Sequence, residues 1–94
     1  MTTYRIADDV AWVSLEELDH DGIPAAYVAH VPRGRPLTLE GSACLVWLAL
    51  ADGGTLDEIA ATAAAMSDVD VGHVRSDVVR MVEALVGDGL AARG

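Results

Sequence analysis

The side chains best suited to chemistry are one thiol, four serine hydroxyls and three imidazoles, and their surroundings decide what each could do. A cysteine nucleophile works as the thiolate, which needs a basic or polar setting. Cys44 instead sits within "GSACLVWLAL", an apolar stretch that favours a buried, inert thiol. Ser14, Ser42, Ser67 and Ser76 lack the G-x-S-x-G context that lifts a serine onto a nucleophile elbow. His20 lies between Asp19 and Asp21, a weak metal-ligand set. No second ligand cluster follows it, so a solvated turn is the plainer reading. His30 is expected on the outer face of a strand and His73 on the polar side of a helix. The glycines of "ADGGT" do not form the G-x-x-x-x-G-K-[ST] cradle of a phosphate site. The residues therefore predict no catalytic constellation, no metal and no cofactor.

Charge narrows the partners. The 94 residues carry a net charge of −9, and each of the six basic residues is an arginine. Such a chain repels phosphate backbones, which argues against nucleic acid as the main partner. Arg33 and Arg35 flank Gly34 and form a local concentration of positive charge. They are either exposed turn residues or a spot for an acidic peptide. The single cysteine cannot form an internal disulfide and points to a reducing compartment. The start, "MTTYRIADDV", lacks the pattern of a signal peptide. The longest apolar run, residues 43–51, is too short to cross a bilayer. A cytoplasmic protein with no membrane partner is expected.

The elements that must position these residues form a strand half and a helical half, in one domain over residues 1–94. Strands are expected over about 10–39 and helices over about 41–88. "VAWVSL" is β-rich, and "DHDGIP" supplies turn chemistry at Asp21-Gly22 and Pro24. In "AAYVAHV", Ala25, Tyr27, Ala29 and Val31 share one face, and Ala26, Val28 and His30 the other. "PRGR" places Pro32 and Gly34 where a turn prefers them. "PLTL" then returns as a third antiparallel strand.

From Gly41 the period becomes helical. Ala43, Val46, Trp47 and Leu50 share one face of the first helix. Leu45 and Leu48 lie roughly opposite, where a surface helix is polar. The helix is therefore buried all round, or those leucines dock a partner, a second copy included. Gly53 or Gly54 ends it. Thr55 and Glu58 form a capping box for the second helix, whose inward residues are Leu56, Ile59, Ala60 and Ala63. Asp70 is a suitable N-cap for the third, broken at Gly87 and Gly89. On the helical wheel the third helix carries an apolar arc roughly 160° wide, where one core contact needs about 100°. Met81, Val74 and Leu85 form one edge of the arc, and Val79 and Val86 the other. One edge is left to line a groove, unless the helix is wedged between sheet and helices.

Three strands followed by three helices is the order of an α+β, winged-helix-like domain with its three-stranded antiparallel sheet first. The stretch "PLTLEGSACLVWLALADGGTLDEIAATAA" resembles the PqqD-like family, also called the RiPP recognition element, which serves ribosomally made and post-translationally modified peptides. The resemblance rests on Leu37, Leu39, Ala43, Val46-Trp47, Leu50, Asp52-Gly53, Thr55 and Glu58-Ile59. It continues through Asp77, Val78, Val82, Leu85, Gly89 and Leu90, and covers about residues 8 to 92. Glu40 departs from it, standing where the family usually has asparagine.

That resemblance implies a non-catalytic adaptor. Such domains bind the leader segment of a precursor peptide as an added strand and present it to a modifying enzyme. The implied leader site comprises Arg35, Leu37, Thr38, Leu39, Val74, Val78, Met81, Val82 and Leu85. Two other functions stay open on the sequence. One is a winged-helix DNA-binding regulator, disfavoured by charge. The other is a small docking subunit of an enzyme complex, using Leu45 and Leu48, with a homodimer as one form of it.

Overall fold

Leu37 and Leu39 alternate with Thr38 and Glu40, and in the computed structural model they form a strand at the rim of a small sheet. The structure describes residues 2–14, 25–31, 34 and 36–94. In chain order these form β1 (Tyr4–Ile6), β2 (Val10–Ser14), β3 (Ala25–His30), β4 (Leu37–Glu40), α1 (Ser42–Asp52), α2 (Leu56–Ser67), α3 (Val71–Gly87) and β5 (Ala91–Arg93). The expected α+β order of three antiparallel strands and three helices is present as β2-β3-β4 and α1-α2-α3. The turn residues Asp21, Gly22, Pro24 and Pro32, together with His20, Arg33 and Arg35, lie outside the described residues.

Alternation sets the faces of the sheet. Ala26 and Val28 are buried, and they pair with Leu39 and Leu37 across β3–β4. Directly paired residues project to the same side, so Leu37 and Leu39 face the helices. His30 has the same parity as Ala26 and Val28, so it belongs to the inner face and not to the outer one. Its Nε2–H donates to the Gly89 carbonyl at 2.8 Å. On β2, Trp12 pairs with Val28 and meets Trp47 edge-to-face, with ring centroids 6.0 Å apart and planes at 82°. Such a pair contributes about 0.5–1.5 kcal/mol beyond simple burial.

The first helix is the centre of the molecule. Cys44, Val46, Trp47, Ala49 and Leu50 are buried, and Ala43, Leu45 and Leu48 are half-buried. A helix apolar all round is one packed on all sides, and this one touches β1, β3, β4, α2 and α3. The expected face is thus shifted: Cys44 and Ala49 are more deeply buried than Ala43. Gly41 is its N-cap at φ 61°, ψ −129°, a conformation open to glycine, which explains how a strand can turn within one residue into a helix. At the other end Gly53, at φ 75°, bonds its N–H to the Leu50 carbonyl.

Small residues let α2 approach its neighbours: Ala60, Ala63 and Ala64 are buried beside Ile59. Its capping box is complete, with Glu58 N–H to Thr55 Oγ1 at 3.2 Å and Thr55 N–H to Glu58 Oε1 at 2.9 Å. Asp70 occupies the N-cap of α3, but its side chain makes no capping hydrogen bond.

Two strands had no forecast in the sequence pattern. β1 pairs antiparallel with β5, Arg5 opposite Ala92, so the two ends of the chain are clasped together. Tyr4 also bridges to Gly54 through two backbone hydrogen bonds of 2.7 and 3.2 Å. Glu83 of α3 secures the clasp, accepting from the Tyr4 hydroxyl at 3.3 Å and pairing with Arg93. The hydrogen bond that Arg93 donates to Glu83, and then the Glu83 charge, hold the Arg93 guanidinium above its ordinary pKa.

Candidate functional site

The strand order β2-β3-β4 leaves one side of β4 unpaired among the described residues. Strand residues alternate the direction of their N–H and C=O groups, so part of β4 presents open donors and acceptors. Leu37 is 44% exposed although it faces the helices, so its flank toward the open edge is uncovered. Thr38 is exposed and Leu39 half-buried.

Gly41 then turns the chain, and α1 begins beside a groove. Ser42, Leu45 and Val46 of α1 line it, with Ala63 and Ser67 of α2 and Val74, Asp77, Val78 and Met81 of α3. Its volume is about 80 Å³. Ser42 is the second residue after Glu40, so this part of the groove lies close to the C-terminal end of β4. Val46, Ala63 and Val78 are each at most 5% exposed and make its floor. Val74 and Met81 are half-buried walls.

This arrangement assigns the two edges of the apolar arc on α3. The Val74–Met81 edge lines the groove with Val78. On the other edge Val79 and Val86 are half-buried and do not line it, although Val86, like Val74 and Met81, packs against the core. Val82 and Leu85, which the resemblance places in the leader site with them, are core residues at 0% and 6% exposure. Leu45 and Leu48, the candidate docking pair, are separated by the fold: Leu45 lines the groove and Leu48 packs on the core. Arg35 lies outside the described residues.

None of Ser42, Ser67, Ala63 and Asp77 is read from the sequence as a groove residue: the serines enter it only as hydroxyls without a nucleophile elbow, Ala63 as an inward residue of the second helix and Asp77 through the family resemblance. Asp77 had a readable signal, since on the helical wheel it falls about 40° from Met81, just outside the arc. Ser67 has none, and although Ala63 reads as an inward residue, nothing in α2 alone says which inward alanine faces a cleft and which a helix.

The charges near the site are weakly engaged. Asp77 meets Arg80 at 3.7 Å, and the two side chains are 69% and 79% exposed. Arg75 is held by Asp57, at 2.7 Å from Nη2 and 2.8 Å from Nε. Both arginines of α3 thus face carboxylates, an arrangement ill suited to gripping a phosphate backbone.

The outer side of the sheet is also apolar. Val13, Tyr27 and Val31 are exposed there, and Val13 and Tyr27 border a shallow hollow with Ala11, Ala29 and Pro36. A solvated antiparallel face is ordinarily polar at such positions. Among the described residues no three His, Cys, Asp or Glu side chains gather as a metal site. No helix among them is long and apolar enough to cross a membrane.

Comparison with known proteins gives one match. The family model described as coenzyme PQQ synthesis protein D (PqqD) matches residues 25–91, from the first residue of β3 to the first of β5. No curated protein and no solved structure matches the chain.

Proposed function

The chain belongs to the PqqD family, and from that premise we propose that it is a non-catalytic adaptor that binds the leader segment of a precursor peptide and presents it to a modifying enzyme. The observation that carries this reading is the conjunction of the open edge of β4 with an apolar groove at its end. An extended peptide added to Leu37–Glu40 gains backbone hydrogen bonds that are indifferent to sequence. Its alternate side chains meet Leu37, Leu39 and the groove between α1 and α3, which reads sequence. Val82 and Leu85 act from beneath, by holding α3 in place. Leu45 serves the peptide from the groove wall. The outer sheet face, with Val13 and Tyr27, stays available to the enzyme.

The peptide orders as it binds, at a cost of about 2–5 kcal/mol, so micromolar affinity is expected. The test is a fluorescence-polarisation titration with the leader of a precursor peptide encoded beside this gene. Leu37→Asp and Val74→Asp both place a charge on the peptide's path, and each is expected to weaken binding at least tenfold. Both residues are at least partly exposed, so the fold tolerates them better than a charge at Val78. Unchanged binding by both variants sinks the reading.

A further inference from the structure

The groove is small and its floor is fixed. An apolar cavity of about 150 Å³ accepts benzene. The present volume of about 80 Å³ is roughly half that, so a branched aliphatic side chain fills the groove, whereas a phenyl or indole ring projects beyond it. Val46, Ala63 and Val78 are locked in the core, and a close-packed floor yields only by repacking its neighbours. Met81, unbranched and half-buried, is an adaptable wall.

The rim adds a charge. Among the described residues Asp77 is the sole ionisable residue lining the groove, and its carboxylate is mostly exposed. Its contact with Arg80 is long and solvated, a type of pair worth little, so a cation from outside can replace it. The field of a chain at −9 draws a cationic peptide and repels an anionic one. In an extended peptide, residues i and i+2 lie on one face about 7 Å apart. A side chain two positions from a buried anchor therefore reaches the rim of the same groove.

We propose that the groove between α1 and α3 takes Val, Ile or Leu from a peptide strand that carries Lys or Arg two residues away, paired with Asp77. This rests on the peptide-binding reading above and adds the chemistry of the peptide. An aromatic anchor overfills the groove, at a cost that corresponds to at least tenfold in affinity. Reversing the charge at Asp77 removes an attraction and adds a repulsion, an effect of roughly fivefold.

The experiment is selection of a displayed library of random twelve-residue peptides on the full chain, with Asp77→Lys and Ala63→Leu in parallel. The wild type is expected to enrich a branched aliphatic residue with Lys or Arg two positions from it. Asp77→Lys, a surface change, is expected to keep the anchor and invert the charge preference. Ala63→Leu, which fills the groove, is expected to lose the anchor. Its circular dichroism must match wild type for that result to count, and Asp77→Lys decides the matter where it does not. Aromatic or acidic residues at these positions overturn the proposal, as does an unaltered charge preference in Asp77→Lys. Enrichment without any anchor–charge pair overturns this proposal alone. The absence of any enrichment overturns the peptide-binding reading and this proposal with it.

Discussion

The imidazole of His30 donates from Nε2 to the carbonyl of Gly89, 2.8 Å away and 59 residues later in the chain. This bond joins the inner face of β3 to the turn that ends α3. Gly89 has φ 77°, and a Cβ there would come within 3.3 Å of the imidazole, so the residue is glycine for both reasons. The sheet is thereby tethered to the C-terminal end of α3.

His30→Ala removes the tether and leaves the Gly89 carbonyl to water. The expected loss is about 1 kcal/mol, the ordinary net worth of such a bond. In a domain of this size that lowers the melting temperature by roughly 4–8 °C. Thermal unfolding followed by circular dichroism checks it. A melting temperature equal to wild type would show the contact to be energetically idle.

Cys44 is fully buried in α1 and takes part in no disulfide. A buried thiol reacts only when the chain opens around it. In native buffer its labelling by a maleimide is expected to be slower than in denaturant by several orders of magnitude. Prompt labelling of the native chain would mean that α1 is not the packed centre described above.

Much of this fold is legible in the sequence, and the illegible parts have physical causes. Thr55 with Glu58, and Gly53 after Leu50, announce their roles because capping chemistry is local. Leu37 and Leu39 announce a strand because alternation is local too. β1 and β5 are three residues each, too short to show a period, and their pairing joins Tyr4 to Arg93 across the whole chain. His30 was expected outside because its ring is polar. A single carbonyl from the far end of α3 makes the inner face acceptable to it. Leu45 and Leu48 look alike on the helix, yet only their neighbours from α3 and the core distinguish a groove wall from a packing residue.

β4 offers a finer check. In an antiparallel pair, one residue exchanges both its hydrogen bonds with the partner strand and the next directs them away. Thr38 and Leu39 are therefore opposites: one bonds to β3, the other faces the open edge. Proline at each position in turn removes one N–H. One variant is expected to lose stability, and the other to keep its melting temperature but bind the leader peptide more weakly. Equal effects of the two on stability, with leader binding untouched in both, would count against strand addition.

The central claim is that a peptide docks on β4 and over the groove. It is tested most directly by hydrogen exchange of the isotopically labelled chain, residue by residue, with and without the leader peptide. Slowed exchange is predicted for an alternating subset of the Leu37–Glu40 amides, together with methyl shifts at Val74, Val78 and Met81. If those amides exchange at unchanged rates at saturating peptide, and the shifts fall instead on Val13 and Tyr27 of the outer face, the account is wrong.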